Sequence, residues 1–153
     1  MKLNKSQREQ IRLKYGGKCA YCGCSLPKNW HADHKEPIRR SQRWVASCID
    51  DRSKIYEDYM EHPERDCIEN LVPACPSCNT NKHQMTVEQF RSSIAQYVQS
   101  LNRYSVQYRM ASKFGLVEET GIEVKFYFER HEQGRTTAED SRKMGFVYMY
   151  RCL

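Results

Sequence analysis

Cys19-Ala-Tyr-Cys22 and Cys75-Pro-Ser-Cys78 are two C-x-x-C pairs, separated by residues 23–74 of a 153-residue chain. Two such pairs in one domain are typical of a tetrahedral zinc site in which all four ligands are thiolates. Four thiolates leave no open position on the metal, so the zinc is expected to be structural. These pairs decide the fold, because one ion bound by both joins two distant parts of the chain.

The same zinc would bring together four polar side chains that are far apart in sequence. Asp33 and His34 lie between the two cysteine pairs, and Asn79 and His83 follow the second pair. Asp33 and His34 are neighbours in a short strand predicted over about residues 29–34, so their side chains point to opposite faces. We therefore expect the zinc to build an active site without being part of it.

The composition limits the class of protein. A chain of 153 residues suits one domain with a modest core, and a net charge of +6 favours an anionic partner such as nucleic acid. The sequence shows neither a secretory signal nor a membrane span, which predicts an intracellular, cytoplasmic protein. In that compartment eight cysteines indicate metal-bound thiolates and not disulfides. The remaining four, Cys24, Cys48, Cys67 and Cys152, are interpreted as buried thiols. In the alternative, Cys24 competes with Cys22 for zinc and Cys48 forms a second metal site with Cys67.

Three segments around the cysteine pairs are predicted from capping boxes and from helical spacing of apolar residues. Residues 6–9 open a short first helix. Residues 86–89 open a later one, whose apolar face is interpreted as core: Phe90, Ile94, Tyr97, Val98, Leu101, Tyr104 and Tyr108. Helical spacing over residues 41–60 predicts a helical insertion, about 41–66, whose acidic second half is placed away from DNA.

Strands complete an α+β fold. Residues 70–74 form a short apolar run that can supply the partner of the strand before Pro37. From residue 122 to 129 apolar and polar side chains alternate, which predicts a half-buried strand whose partner lies near residues 146–150. We expect a single domain with a core of about residues 18–84, the helical insertion, and a C-terminal helix plus β-hairpin over about 86–153.

The order of these motifs resembles the zinc-containing branch of the HNH endonucleases. The resemblance covers about residues 18–83 without the insertion. It rests on four fragments, which are Cys19-x-x-Cys22, Asp33-His34-x-x-Pro37, Asn70-Leu71 and Cys75-x-x-Cys78-Asn79-x-x-Lys82. It implies a ββα-metal fold and an enzyme that hydrolyses DNA phosphodiester bonds, leaving 5′-phosphate and 3′-hydroxyl ends, in a bacterial or phage-infected cell.

The resemblance also implies roles for single residues. His34 is the general base that takes a proton from the attacking water, and Asp33 holds a divalent cation, Mg²⁺ or Mn²⁺. Asn79 stands where many members of the family have a histidine ligand; its amide oxygen also suits Mg²⁺, and His83 is the backup or additional ligand, so which of them binds stays open. Asn70 is expected to brace the loop between the two strands and so orient His34.

The basic residues near the motif are candidate phosphate contacts: Lys35, Arg39, Arg40, Arg43 and Lys82. Lys35 departs from the family, in which the residue after the histidine is usually apolar. The expected partner is double-stranded DNA, and a homodimer stays open. The alternatives are a zinc-stabilised DNA-binding module or zinc ribbon without activity, and an interaction protein that docks through its acidic segment. The sequence leaves open which DNA sequence is preferred, whether one strand or both are cut, and what the biological role is.

Overall fold

The computed structural model describes residues 1–47 and 54–132. Its regular elements are α1 Lys5–Leu13, β1 His31–His34, β2 Arg39–Ser47, β3 Lys54–Glu61, two 3₁₀ helices at Pro63–Arg65 and Ile68–Asn70, β4 Leu71–Ala74, α2 Pro76–Lys82, α3 Val87–Ala95, α4 Tyr97–Tyr104, α5 Val106–Lys113 and α6 Tyr127–Glu132. The mixture of helices and strands agrees with the predicted α+β class. None of these helices is long and apolar enough to span a membrane.

The antiparallel pair of β1 and β4 lies at the centre of the molecule. His31 is opposite Ala74 and His34 is opposite Leu71, so β1 ends where β4 begins. All four residues of β4 are buried. The segment with the first cysteine pair docks on this strand through the Ala20 amide, which donates to the Pro73 carbonyl at 2.8 Å. Helix α2 follows β4 directly and packs against β1.

Aromatic rings from the C-terminal part of the described chain pack around the first cysteine pair. The ring centroid of Tyr21 lies 5.5 Å from those of Phe90 and Phe126, and 6.3 Å from that of Phe128. The amide of Phe128 donates to the carbonyl of Ala20 at 2.8 Å. Burial of several large aromatic side chains in one cluster supplies much of the apolar area that this small core removes from water.

The helix starts differ in part from the prediction. Asn4, and not residue 6, caps α1: its side chain accepts from the Gln7 amide and the Gln7 side chain accepts from the Asn4 amide, which is a capping box two residues earlier than predicted. The predicted capping box of Thr86 and Gln89 at the start of α3 is confirmed. Ile11 of α1 is buried against Trp30 and Leu71, which attaches this helix to the central strands.

The predicted helical insertion is wrong. Strands β2 and β3 form an antiparallel hairpin in which Trp44 is opposite Tyr56 and Arg43 is opposite Glu57. The apolar residues that were read as one stripe of a helix are largely exposed on this hairpin, with 59% of Trp44 accessible. Aromatic and opposite-charge pairs across two strands stabilise a sheet, and helical spacing within one strand carries no information about that pairing.

The single helix predicted after residue 86 is also wrong, because the chain forms α3, α4 and α5 in its place. Phe90 on α3 is buried as predicted, but 72% of Tyr104 on α4 is exposed. Tyr97, Val98 and Leu101 are exposed too. The run is first interrupted at Gln96, between α3 and α4, and again at Ser105, whose hydroxyl accepts from the Tyr108 amide and caps α5. The break at Gln96 separates the exposed apolar residues of α4 from the core that Phe90 occupies.

The strand predicted over residues 122–129 is absent from this segment. Residues 121–126 have no regular structure, and α6 begins at Tyr127. Phe126, Tyr127 and Phe128 are all buried, which does not fit the alternation of a half-buried strand. Phe126 and Phe128 pack against Tyr21, and the Tyr127 ring packs against Gly23. The strand partner predicted near residues 146–150 lies outside the described residues.

Candidate active site

The two cysteine pairs meet as the sequence predicts. The Sγ atoms of Cys19, Cys22, Cys75 and Cys78 all lie within 4.8 Å of one another. Over residues 1–47 and 54–132, this is the one group of three or more His, Cys, Asp or Glu side chains that are placed to hold a metal ion. The geometry and the all-sulfur donor set fit zinc.

Local structure explains how the sulfurs converge. Cys75 is the N-cap of α2 and Cys78 lies in its first turn, where its amide points at the Cys75 sulfur at 3.5 Å. The Cys75 amide donates to the Cys19 sulfur at 3.3 Å. Hydrogen bonds from the neighbouring cysteine thiols, Cys22 first, lower the pKa of Cys19, whereas the hydrogen bond with Cys19 raises the pKa values of Cys22 and Cys78.

Of the remaining four cysteines, the structure describes Cys24 and Cys67, and neither is one of these four sulfurs. Cys24 is buried beside the cluster: its carbonyl accepts from the Cys19 amide at 2.8 Å, and a hydrogen bond from its thiol also lowers the pKa of Cys19. Cys67 is half-buried. Cys48 and Cys152 lie outside the described residues, and so does the second metal site suggested for Cys48 with Cys67.

His34 ends β1 with 22% of its side chain exposed. Its Nε2 lies 2.9 Å from Oδ1 of Asp66, a residue that follows the first 3₁₀ helix. The other oxygen of Asp66 accepts from the amino group of Met1 at 2.6 Å. These two contacts, that of the amino group first, lower the pKa of Asp66 and keep it ionised. The histidine therefore has a fixed anionic partner.

Asp33 faces away from His34, as strand alternation predicts, and its Oδ2 has two partners. The Tyr21 hydroxyl donates to it at 2.5 Å, and Nζ of Lys82 lies 3.2 Å away. Burial first, and then the charge of Asp33, raise the pKa of Tyr21, so the hydroxyl keeps the proton that it donates. With 11% of its side chain exposed, Asp33 is largely withdrawn from solvent.

The prediction that Lys82 contacts phosphate is wrong. Its side chain is fully buried, and its Nζ donates to the His34 carbonyl at 2.7 Å in addition to the contact with Asp33. A buried ammonium group requires such partners, because desolvation without them is costly. Lys82 therefore connects the end of α2 to the two residues at the end of β1.

Asn70 braces the loop after β1. Its Oδ1 accepts from the Glu36 amide at 2.9 Å, and its Nδ2 donates to the carbonyls of Glu36 at 2.8 Å and Arg65 at 2.9 Å. The Asn70 carbonyl accepts from the Lys35 amide at 2.8 Å. One side chain thus fixes both the segment that leaves His34 and the segment that carries Asp66.

The two residues predicted as further cation ligands lie at the end of α2. Asn79 is half-buried within the helix. His83 is exposed and lies just beyond the last helical residue, with φ of 48°, and its amide donates to the Asn79 carbonyl at 3.0 Å. Because the helix has ended, His83 does not continue the helical face of Asn79.

The remaining candidate phosphate contacts differ in what they touch. Nζ of Lys35 lies 4.1 Å from the ring centroid of Phe128, so this lysine packs where the family usually has an apolar residue. Arg43 pairs with Glu57 at 2.8 Å, and Arg39 approaches Glu61 at 3.9 Å. Arg40 is exposed, and no acidic partner of it is found among the described residues. Arg39 and Arg43 thus pair with acidic residues of β3, which belongs to the segment predicted to lie away from DNA.

Sequence reasoning missed two residues of this site. Tyr21 is the third residue of the first cysteine pair, a position that the spacing rule leaves free, and its contact with Asp33 depends on the docking of that pair on β4. Asp66 belongs to the acidic half of the predicted insertion, which is expected to lie away from DNA. Its position four residues before Asn70 was the available signal, since Asn70 was expected to lie beside His34.

The family model for HNH endonucleases matches residues 58–85, a segment that contains Asp66, Asn70, Asn79, Lys82 and the second cysteine pair. The predicted resemblance to the HNH endonucleases is confirmed. The chain is also similar to the "SPbeta prophage-derived putative HNH endonuclease YoqL" of Bacillus subtilis, with 28% identity over 87 residues. That alignment covers 57% of this chain and 32% of the relative, so the chain spans about a third of the relative's length. No solved structure matches.

Proposed function

We propose that this protein is a metal-dependent HNH endonuclease that hydrolyses DNA phosphodiester bonds, with His34 as the general base. The observation that supports the proposal best is the placement of His34. It is partly exposed at the end of β1, its Nε2 has an anionic partner, and its carbonyl is held by Lys82. A neutral imidazole fixed in this way is suited to accept a proton from water.

In the proposed reaction, a water molecule beside the imidazole attacks the phosphorus atom of the phosphodiester. One O–H bond of the water breaks and its proton goes to His34, while the water oxygen forms the new bond to phosphorus. The bond from phosphorus to the 3′ oxygen breaks, its electron pair leaves with that oxygen, and a proton from solvent completes the 3′-hydroxyl. The products carry a 5′-phosphate and a 3′-hydroxyl group.

A divalent cation, Mg²⁺ or Mn²⁺, belongs to this proposal, with Asp33 and either or both of Asn79 and His83 as ligands. Both described contacts of the Asp33 carboxylate involve Oδ2, which leaves Oδ1 as the oxygen that would bind the cation. Carboxylate and amide oxygens are suitable ligands for these ions. When bound, such a cation neutralises charge that grows on the phosphoryl oxygens. Zinc in the four-cysteine site would join the segment of the first cysteine pair to the start of α2 and would take no part in the chemistry.

We further propose that the substrate is double-stranded DNA inside a cell and that it is contacted by Lys35, Arg39, Arg40 and Arg43. Arg40 is the strongest candidate, because its exposed guanidinium has no acidic partner among the described residues. Arg39 and Arg43 would have to exchange exposed carboxylate partners for phosphate, an exchange that costs little since surface ion pairs are weak.

A zinc-stabilised DNA-binding module without catalysis is the second candidate, and one observation favours it. The ammonium group of Lys82 lies 3.2 Å from the carboxylate of Asp33. A positive charge at that distance already neutralises the proposed cation ligand and opposes the binding of a second cation beside it. The two functions make the same contacts with DNA and differ in the outcome of a cleavage assay.

The experiment compares cleavage of supercoiled plasmid in the presence of Mg²⁺ or Mn²⁺ by the wild type, His34→Ala and His31→Ala. His31 is the matched control, because it lies on the same strand and is exposed. We expect the wild type and His31→Ala to convert the plasmid to nicked or linear forms, and His34→Ala to be slower by a factor of about 10² to 10⁴, the usual contribution of a general base. DNA ligase should reseal the cleaved plasmid without prior phosphorylation of its 5′ ends.

If the wild type leaves the plasmid intact with both metals but retards the migration of DNA in a gel, the nuclease is rejected in favour of the DNA-binding module. Equal cleavage by His34→Ala and the wild type would reject His34 as the base.

A further inference from the structure

We propose that Asp66 is a positioning residue that accepts a hydrogen bond from Nε2 of His34 and thereby directs Nδ1 toward the attacking water. The inference rests on the proposed function, in which His34 is the base, and it adds a residue that the HNH resemblance did not supply. The geometry that leads to it is the 2.9 Å distance between Nε2 of His34 and Oδ1 of Asp66.

The backbone on both sides of this contact is fixed. Asp66 is the C-cap of the first 3₁₀ helix, and its amide donates to the Pro63 carbonyl at 3.1 Å. The Asn70 side chain donates to the Arg65 and Glu36 carbonyls and accepts from the Glu36 amide. Nζ of Lys82 donates to the His34 carbonyl. The carboxylate and the imidazole are therefore brought together by two restrained segments and not by a chance approach of two mobile side chains.

The chemistry of the two groups fixes the direction of the hydrogen bond. An ionised carboxylate only accepts hydrogen bonds, so Nε2 must carry the proton that joins them. A neutral imidazole has one N–H, and hence Nδ1 is left with the lone pair that can accept a proton. When Nδ1 takes the proton of water, the imidazolium that results lies against the negative charge of Asp66, which stabilises it as carboxylates stabilise histidines in hydrolytic sites.

This arrangement also links the hairpin to the base. The chain leaves β1 after His34, forms β2 and β3, and returns through the first 3₁₀ helix to Asp66. The guanidinium of Arg65 donates to the Pro37 carbonyl at 3.4 Å, so the two ends of the hairpin are joined close to the contact between His34 and Asp66. Residues before and after the β2–β3 hairpin therefore orient the imidazole of His34 together.

The first test is spectroscopic and needs no activity. Long-range proton–nitrogen correlation spectra of ¹⁵N-labelled protein distinguish the two neutral tautomers of each histidine, and His34→Ala assigns the signals of His34. In mildly alkaline solution we expect His34 of the zinc-loaded wild type to be protonated at Nε2. Asp66→Ala should lose this preference, whereas Asp58→Asn, which removes an exposed carboxylate of β3, should keep it.

The second test is kinetic. Asp66→Asn keeps the size of the side chain but can donate to Nε2, which favours the wrong tautomer. We expect kcat to fall on the order of 10²-fold with KM changed by less than about threefold, because a group that acts on the transition state alone lowers kcat and not substrate binding. Asp58→Asn should cleave at the rate of the wild type.

The outcomes separate this inference from the proposed function. A wild-type His34 protonated at Nδ1, a tautomer that does not change in Asp66→Ala, or an unchanged kcat in folded Asp66→Asn would each overturn the positioning role. A wild type that cuts no DNA would reject the nuclease, and the tautomer measurement would still decide whether Asp66 holds His34.

Discussion

Nζ of Lys82 lies 3.2 Å from Oδ2 of Asp33, and the lysine side chain is fully buried. The same nitrogen donates to the carbonyl of His34. The last residue of α2 is thus attached to both residues of the predicted catalytic pair, one through its carboxylate and the other through its backbone. The position of the site depends on this connection between a helix and a strand as well as on the four cysteines.

The buried pair predicts a large loss of stability for Lys82→Met. Methionine leaves the charge of Asp33 without its cation, and removal of one partner of a buried ion pair typically costs about 3–5 kcal/mol. Urea unfolding of the zinc-loaded protein measures the effect. Lys125→Met is the control, because it breaks only the exposed pair with Glu123 and should cost less than about 1 kcal/mol. Similar losses for the two variants would contradict the structural role of Lys82.

Removal of zinc should unfold the site. We expect Cys78→Ser to lose bound zinc and cooperative thermal unfolding together, since the binding energy of a structural zinc is also folding energy. Cys67→Ser, which changes a cysteine outside the four-sulfur cluster, should keep both properties. Zinc content by elemental analysis and circular dichroism on heating provide the measurements. A native melting curve and full zinc content in Cys78→Ser would show that the four cysteines do not form a structural zinc site.

Gly23 is required by two separate features. Its φ is 79°, and a Cβ built at this position would lie 2.8 Å from the Tyr127 ring. Gly16 has a similar φ of 62° but open space around a Cβ. We expect Gly16→Ala to cost about 1–2 kcal/mol from backbone conformation alone, and Gly23→Ala about 1–3 kcal/mol more from overpacking. Equal unfolding free energies for the two variants would show that the α6 segment does not pack on the first cysteine pair as described.

Asn70→Asp tests the brace beside His34. The carboxylate can still accept from the Glu36 amide but faces the carbonyls of Glu36 and Arg65, to which Asn70 donates. Losing these two hydrogen bonds should lower stability by about 1–3 kcal/mol and, because the loop positions His34, reduce the cleavage rate. Asn81→Asp is the matched control, since Asn81 is exposed and, among the described residues, its side chain donates to the Ser77 carbonyl alone. A normal rate in Asn70→Asp would separate the loop from the orientation of the base.

The outcome for the insertion shows why spacing rules failed there. Trp44, Tyr56 and Tyr59 have spacings that fit a helical stripe, but their contacts are made across two strands. A pattern within one segment cannot state which other segment lies beside it. The same limit applies to the alternation over residues 122–129, where Phe126 and Phe128 pack around Tyr21 while Ile122 is exposed, and no sheet face is formed.

The sequence by itself determined the convergence of the two cysteine pairs, the opposite directions of Asp33 and His34, and the place of Asn70 beside the loop after β1. These features follow from local chemistry, since the ligand spacing of a metal site and the alternation of a strand are written in consecutive residues. Only the tertiary structure decided that Lys82 is buried against Asp33, that Tyr21 shares the same carboxylate, and that Asp66 faces His34. Those contacts depend on how α2, the first cysteine pair and the returning end of the hairpin pack on β1, and packing between segments distant along the chain leaves no periodic trace in any one of them.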